Sequence, residues 1–437
     1  MQQVIGNIWL IRWLRSLRRQ TRGGAGGNPI SGLIEQLRVR LIQKIFCVVV
    51  LFAVLARSVQ GQSIQGLPKL TDAAQISLIT YSPGPELYQA FGHSCIRIRD
   101  DSYGMDRMYN FGVFDFETPN FYLKFARGDL LYQLTVTAGE EEIQSVVASY
   151  GQGVSEVMLN LTLVQKQQLF EALEVNLLPE NRYYRYDFVL DNCSTRVRDA
   201  FERTIGGPVS EPDIGKRTFR QMLDPYFERT PWIQFGLYLL LGSKVDRAVT
   251  PREACFLPAD LERAVQMSKN GGQNLGPERK ELYPPDPLPQ PWLFPLPIIV
   301  TGCVLWLCLW LVRGLKHARW VTALFLLLVG GTGLFLAGFA VWSLHWETWA
   351  NYNLLWLLPT HFVAGIWLLL ERKQPLFLRW YLWLGALAAS AFLCFSFLLP
   401  QQFHPASYPL IAILAWRCAL EAKAVRRLAS DQLQTHS

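Results

Sequence analysis

Two residues in this chain have the types and surroundings for nucleophilic catalysis. Cys193 lies in Tyr186-Asp-Phe-Val-Leu-Asp191-Asn192-Cys193-Ser-Thr-Arg-Val-Arg, where an extended apolar stretch meets a helical pattern. Asp191 or Asn192 can cap that helix, which leaves Cys193 in its first turn. Unpaired N–H groups at a helix start favour a thiolate, and the thiolate is the nucleophile. A buried or disulfide-bonded cysteine is the competing reading of that position. His93 lies in Phe91-Gly92-His93-Ser94-Cys95-Ile96-Arg97-Ile98, at the entry to a strand. A lone histidine there would more often be an ordinary half-buried side chain. It is the one histidine between Gln62 and Pro284, however, and a helix-start cysteine makes it the natural general base.

A Cys–His pair needs a third group to hold the imidazole in one tautomer. Alternation marks Cys95–Arg99 and Met108–Phe116 as strands, and a hairpin between them turns near Asp101–Asp106. Asn110 then faces the strand just beyond His93, and Asp115 lies roughly opposite its start. Asn110 is the choice for the third position and Asp115 the reserve.

Other chemistries find little support. There is no HExxH and no paired CxxC, so neither a metal nor a cofactor is expected. Gly92-His93-Ser94-Cys95-Ile96 imitates a serine-nucleophile elbow but lacks its last glycine. The glycines of Gly330-Gly331-Thr-Gly333 sit in an apolar helix, where small residues serve helix packing. Three cysteines, Cys95, Cys193 and Cys255, fall in the soluble part; in an oxidising compartment one disulfide with one cysteine left over is expected.

The elements around these residues sort the chain into regions. Half of the 437 residues are apolar and 18% are charged, which excludes a disordered chain and points to a membrane. Eight basic residues stand against one acidic before Ile45, 24 against 30 between Ile45 and Gln290, and 10 against four from Pro291 onward. An acidic globular block between basic ends leaves no basic stripe for nucleic acid. Residues 1–61 read as a leader whose apolar run, Ile45–Ala56, fits a signal-peptide core or an N-terminal anchor.

Residues 62–284 read as an α+β domain with an antiparallel sheet. Its first strand is Ile76–Tyr81, and helical patterns follow Pro85, Pro119, Thr162 and Asn192. A Pro-rich linker, 285–291, leads to five apolar runs within 292–427: Trp292–Val312, Trp320–Trp342, Leu354–Leu370, Phe377–Leu399 and Ala406–Leu420. Lys and Arg concentrate in two of the connections and in the tail, 428–437 and the residues before it, but are absent from Ser343–Asn353 and Pro400–Pro405. The positive-inside rule therefore places the soluble block outside the cytoplasm.

Longer motifs add a resemblance. Ser82-Pro-Gly-Pro-Glu-Leu-Tyr-Gln-Ala-Phe-Gly-His-Ser, Tyr109-Asn-Phe-Gly-Val-Phe-Asp-Phe, Asn120-Phe-Tyr-Leu-Lys-Phe-Ala-Arg-Gly128 and Arg182-Tyr-Tyr-Arg-Tyr-Asp-Phe resemble the Lnb family in order and spacing. The order of histidine, polar residue and Asn-Cys also resembles the circularly permuted papain-like fold, as in NlpC-type peptidases and lecithin:retinol acyltransferases. The resemblance implies a permuted papain-like cysteine-enzyme domain followed by an all-α bundle of five transmembrane helices, in a multi-pass protein of a bacterial inner membrane with the catalytic domain in the periplasm. It implies lipoprotein N-acyl transfer from a phospholipid acyl donor to a diacylated lipoprotein acceptor, with His93 and Cys193 as the catalytic pair. A membrane-anchored cell-wall peptidase or amidase is the alternative.

Two further features suit a lipid substrate. Lys124 and Arg127, three apart on a helix, can meet a phosphate headgroup, although a solvated helix face is the plainer reading. His345, with Glu347, Asn351 and Asn353, clusters in an outward loop beside apolar helices, where polar groups are often functional. The apolar stretch Trp232–Gly242 is too short to span a bilayer and either packs in a core or docks against the membrane.

Overall fold

The computed structural model describes residues 66–287, 296–312, 318–370 and 375–434. The expected signal segment Ile45–Ala56 lies outside them, as do parts of the Pro-rich linker and of both basic connections.

Strict alternation of apolar residues builds the sheet. Its strands are β1 (Gln75–Tyr81), β2 (His93–Asp100), β3 (Met105–Val113), β4 (Leu131–Ala138), β5 (Val154–Met158), β6 (Tyr183–Arg185) and β7 (Arg279–Tyr283). They run antiparallel in the order β6-β4-β3-β2-β1-β5-β7. The soluble helices are α1 (Phe121–Arg127), α2 (Gly139–Tyr150), α3 (Leu163–Leu177), α4 (Cys193–Ile205), α5 (Pro231–Leu240) and α6 (Pro258–Met267), with shorter turns between.

Both faces of the sheet are covered. Ile76, Leu78, Ile96, Ile98 and Tyr109 pack on one face with Leu169 and Phe170 of α3 and Val197 and Phe201 of α4. The opposite residues of the same strands, Ile79, Tyr81, Cys95 and Met108, pack with Ile143 of α2. At roughly 25 cal/mol per Å² of apolar surface, two covered faces dominate the stability of the domain. The period of two also decides function, because it places His93, Cys95 and Asn110 on the α2 face.

Two elements differ from the sequence expectation. The helical pattern after Pro85 gives only a 3-10 turn, Leu87–Gln89. Strand β3 begins three residues earlier than expected and ends at Val113, not Phe116. Its register shifts between Asn110 and Val113, and Gly112 between them takes φ +85°, which ends regular pairing.

Five apolar helices follow: α7 (Leu296–Val312), α8 (Ala318–Trp342), α9 (Thr360–Leu370), α10 (Leu376–Phe395) and α11 (Ser407–Gln434). Two are long and apolar enough to cross a membrane, and Trp346–Leu355 with Thr360–Leu370 forms a pair bent by 46° that would make a third. The five-span expectation thus meets five helices, not all of spanning length among the described residues. The glycines of α8 pack as small residues do. A Cβ on Gly333 would collide with the Leu357 carbonyl, and one on Gly330 with the backbone of Phe362.

The soluble domain is fastened to the segment between α8 and α9. Ser343 Oγ donates to the Ala126 carbonyl at 3.0 Å, and Leu344 N–H to the Arg127 carbonyl at 2.7 Å. Trp346 Nε1 donates to Asp187 Oδ2 at 2.7 Å. Gly242 N–H donates to the Glu347 carbonyl at 2.8 Å, and Ser243 N–H to the Ala350 carbonyl at 3.1 Å.

The apolar stretch around α5 docks on this membrane part rather than lying in the soluble core. Leu239 and Leu240 pack against its apolar cluster, while Trp232 and Ile233 stay exposed. The last carbonyls of a helix lack intrahelical donors. Asn351 Nδ2 serves that of Leu239 at 2.7 Å and Asn353 Nδ2 that of Tyr238 at 2.9 Å.

Candidate active site

Cys193 opens α4 because Asn192 stops the extended chain before it. Asn192 Oδ1 accepts from Thr195 N–H at 2.9 Å, and Thr195 Oγ1 accepts from Asn192 N–H at 2.8 Å, which completes a capping box. The Asn192 amide also donates to the Phe188 and Phe256 carbonyls, so the turn before the thiol is anchored on two sides. Asp191 instead forms an ion pair with Arg196 at 2.6 Å.

His93 enters β2 through Gly92, which takes φ +77° with the Tyr81 carbonyl where a Cβ would stand. Its ring stacks on Tyr81 with an interplanar angle of 7°. His93 Nε2 lies 3.2 Å from Asn110 Oδ1. Asn110 turns its amide the other way, donating to Glu142 Oε2 at 2.7 Å, so its oxygen must accept from Nε2–H. That leaves His93 Nδ1 for the thiol.

Charge and hydrogen bonding act on Cys193 together. Burial opposes ionisation of its thiol. The charge and hydrogen bond of His93, the Ser94 N–H and the Ser194 hydroxyl outweigh that, bringing its pKa down to about 7. For His93, burial works against the imidazolium, but the Cys95 and Cys193 sulfurs raise its pKa well above the ordinary value. Cys95 is the nearer rival by sequence, yet burial pushes it up to about 11 despite the charge of His93, and it donates to Asn110 Oδ1 at 2.8 Å. Cys255 is pushed up to about 12, chiefly by burial. Of the three soluble thiols, Cys193 alone is poised to ionise near neutrality. The expected disulfide is not formed: all three cysteines are free and buried, Cys95 against Asn110 and Cys255 far along the chain beneath α4.

This ordering gives a direct check. A depressed thiol pKa means that thiolate is present above about 7 and is lost as pH falls below it. Alkylation of Cys193 by iodoacetamide is therefore expected to rise with a midpoint near pH 7. In His93→Ala only the Ser94 N–H and the Ser194 hydroxyl remain to oppose burial, and the midpoint rises well above 7. Peptide mass spectrometry across a pH series reads both; an unshifted midpoint in His93→Ala would mean the two groups are not coupled.

Glu142 was not singled out in the sequence. It sits among Glu140, Glu141 and Glu142 in the first turn of α2, which reads as a solvated helix start. In the structure Tyr81 Oη donates to its Oε1 at 3.0 Å, and Thr137 Oγ1 and Asn110 Nδ2 donate to its Oε2. Glu142 therefore sets the orientation of Asn110, and through it that of His93. Glu142→Gln puts an N–H₂ within the set of oxygens that now accepts from the Asn110 amide, the Tyr81 hydroxyl and the Thr137 hydroxyl, and the Asn110 N–H₂ can only donate. Alkylation of Cys193 at pH 7 should slow by roughly 10-fold, and by about 100-fold in Asn110→Ala. The alkylation midpoint of Cys193 should rise in both, a shift that a merely structural role would not produce.

The remaining expected residues are dispersed. Asp115 is exposed beyond the end of β3, where its Oδ1 accepts from Glu117 N–H at 2.8 Å. It cannot serve as the reserve third residue, because β3 stops before reaching it. Lys124 and Arg127 lie on α1, with Arg127 3.6 Å from Asp129. The same helix exposes Tyr122, Leu123 and Phe125. His345 is near the site: its Nε2 donates to the Phe125 carbonyl at 3.0 Å, and its ring meets Phe188 at 5.5 Å.

Phe125, Gly128, Leu130, Tyr132, Tyr186, Phe188 and His345 line a small aromatic cleft. Tyr186 closes one end. It stacks on Tyr132 with ring centroids 4.4 Å apart and its hydroxyl is hydrogen-bonded to Cys193. Burial first, then the neighbouring thiol, hold that hydroxyl protonated. Gly112 leaves room for the ring, since a Cβ there would lie 3.0 Å from Tyr186 Cε2 and 3.6 Å from Cys193 Cβ. The Tyr186 ring thus stands between this aromatic cleft, which His345 also lines, and the thiol.

Comparison with known families gives two matches. Residues 69–224 match the Lnb N-terminal periplasmic domain, and residues 288–427 match the Lnb transmembrane domain. No curated protein matches the chain, and no solved structure does.

Proposed function

Starting from the fact that the chain belongs to the Lnb family, with a periplasmic domain and a transmembrane domain, we propose that it is a lipoprotein N-acyltransferase of the bacterial inner membrane. The observation that carries this reading is the buried Cys193–His93–Asn110 constellation, separated by Tyr186 from an aromatic cleft, in a domain hydrogen-bonded to a membrane segment. A peptidase acting on cell wall has no need of that cleft or that docking, whereas an enzyme that takes acyl chains from phospholipid does.

The reaction has two halves. Cys193 thiolate attacks the ester carbonyl of a phospholipid. The C–O bond breaks, and the leaving alcohol takes a proton from His93. The acyl group is now a thioester on Sγ and His93 is neutral. In the second half the free α-amine of a diacylglyceryl-cysteine attacks the thioester. A C–N bond forms, the C–S bond breaks, and one proton returns to His93, which regenerates the thiolate–imidazolium pair.

Both tetrahedral intermediates place a negative oxygen beside the start of α4. Asn192 already occupies the Thr195 N–H with its side chain and the Arg196 N–H with its carbonyl. The first-turn N–H groups of Cys193 and Ser194 and the Tyr186 hydroxyl are the donors for that oxygen. Neither metal nor cofactor takes part in this scheme.

The test is mass spectrometry of a reporter lipoprotein's N-terminal peptide, from cells lacking their own N-acyltransferase and supplied with this gene. The expected result is a third acyl chain, in amide linkage on the terminal cysteine. An unchanged diacyl peptide from a well-expressed, exported protein would sink the proposal and favour the cell-wall amidase instead.

A further inference from the structure

Among the described residues, Glu347 is the one whose two side-chain oxygens are both buried with no hydrogen-bond donor. It is 5% exposed and lies in the segment that fastens the soluble domain to the membrane part. Its backbone explains its place, because its carbonyl accepts from Gly242 N–H, but nothing in that contact needs a carboxylate. A buried unpaired charge is costly: burial first, then the charge of Asp187, favour the protonated acid, and a ligand that supplies donors and positive charge would hold the group as a carboxylate.

The surroundings favour a cation. Asp187 is near enough for its charge to act on Glu347, and its own oxygens are taken by Trp346 Nε1 and by the N–H groups of Val189 and Leu190. The one basic side chain within 4 Å among the described residues is His345, with Nδ1 3.9 Å from Glu347 Oε2. His345 Nε2 faces the Phe125 carbonyl, which can only accept, so Nε2 carries the hydrogen. In the neutral ring the bare Nδ1 then points toward the carboxylate. Nδ1 and both Glu347 oxygens are acceptors gathered without a donor. No group of three or more His, Cys, Asp or Glu suited to a metal ion occurs among the described residues, whereas an ammonium group brings three N–H donors and one charge.

Proton balance asks for such a site. The acceptor arrives as an ammonium and ends as an amide, having lost two protons. One returns to His93, and the Cys193 constellation has no taker for the other. His345 lines the same cleft as Tyr186, whose hydroxyl is hydrogen-bonded to Cys193.

We propose that Glu347 and His345 dock the α-ammonium group of the acceptor lipoprotein and take up the proton it sheds before it attacks the Cys193 thioester. The assignment rests on the acyl-transfer reading above and adds a second site to it.

The experiment separates the two halves in full-length protein reconstituted in phospholipid vesicles. Intact-protein mass spectrometry follows the acyl-enzyme, and a synthetic diacylglyceryl-cysteine lipopeptide serves as acceptor. In Glu347→Gln the acyl-enzyme should form to within about twofold of wild type. Transfer to the lipopeptide should fall by roughly 30-fold, most of it as a raised KM, since a hydrogen bond to a charged group is lost. Glu347→Asp, which keeps the charge, should recover most of the loss, and His345→Gln should lose transfer in the same half. Unchanged transfer in Glu347→Gln overturns the docking assignment and leaves the acyl-transfer reading standing. A wild type that forms no acyl-enzyme overturns both.

Discussion

Cys193→Ala is expected to abolish acyl transfer in purified protein, by at least about 1,000-fold and down to the uncatalysed background. The size follows from the covalent scheme: without Sγ there is no thioester, and neither half-reaction has a substitute path. Cys95 cannot replace it. Its thiol is pushed up to about 11 and is bonded to Asn110, so at neutral pH it stays protonated. Cys193→Ser sharpens the test, because the hydroxyl occupies nearly the same volume but is not ionised by His93 at neutral pH. It too should be inactive, with the fold intact by circular dichroism. Acyl transfer that survives in Cys193→Ala would place the nucleophile elsewhere.

Gly242→Val is expected to have the second-largest effect, by another route. A Cβ at Gly242 would land on the Trp349 carbonyl, and both groups are backbone, so the two segments must part. The Gly242–Glu347 and Ser243–Ala350 hydrogen bonds go with them. Overpacking of this kind costs about 1–3 kcal/mol locally. The catalytic constellation lies on β2, β3 and α4 and touches none of these residues. The variant should therefore keep the pH profile of Cys193 alkylation yet lose acylation of the reporter by more than roughly tenfold, because the cleft wall formed by His345 moves away from Phe188. Full acylation by Gly242→Val would show that the joint between the domains is not needed.

The parts of this architecture visible in the sequence are those governed by short-range rules. Period-two alternation located β1 and β2 and most of β3, and a cap at Asp191 or Asn192 placed Cys193 in the first turn of α4, with the structure choosing Asn192. The hairpin geometry brought Asn110 to His93, since adjacent antiparallel strands put near-opposite residues on one face. Asp115 failed as the reserve for a local reason that alternation does not reveal: Gly112 at positive φ ends the strand early. Glu142 was hidden because its role depends on the packing of α2 across β3, a contact between residues with no sequence pattern in common. Cys193 was legible as the nucleophile from its helix start; the structure adds the reason it ionises, since His93, the Ser94 N–H and the Ser194 hydroxyl bring it down to about 7 while burial holds Cys95 up at about 11. Asn351 and Asn353, which resembled Glu347 as loop polar residues, serve the end of α5, and Glu347 stands out only once they are accounted for.

The fastening of the soluble domain to the segment between α8 and α9 has a kinetic consequence. A domain joined only by a Pro-rich tether would sweep a volume and meet its substrates in three dimensions. Hydrogen bonds at Ala126, Arg127, Asp187, Gly242 and Ser243 hold this one in register with the apolar helices. The thiol therefore rides at a set altitude, and on the proposed reaction both substrates, anchored in the same bilayer, would reach it by sliding sideways. Encounter rates scale with surface density rather than with bulk concentration, and a water-soluble amine, however abundant, arrives without that advantage.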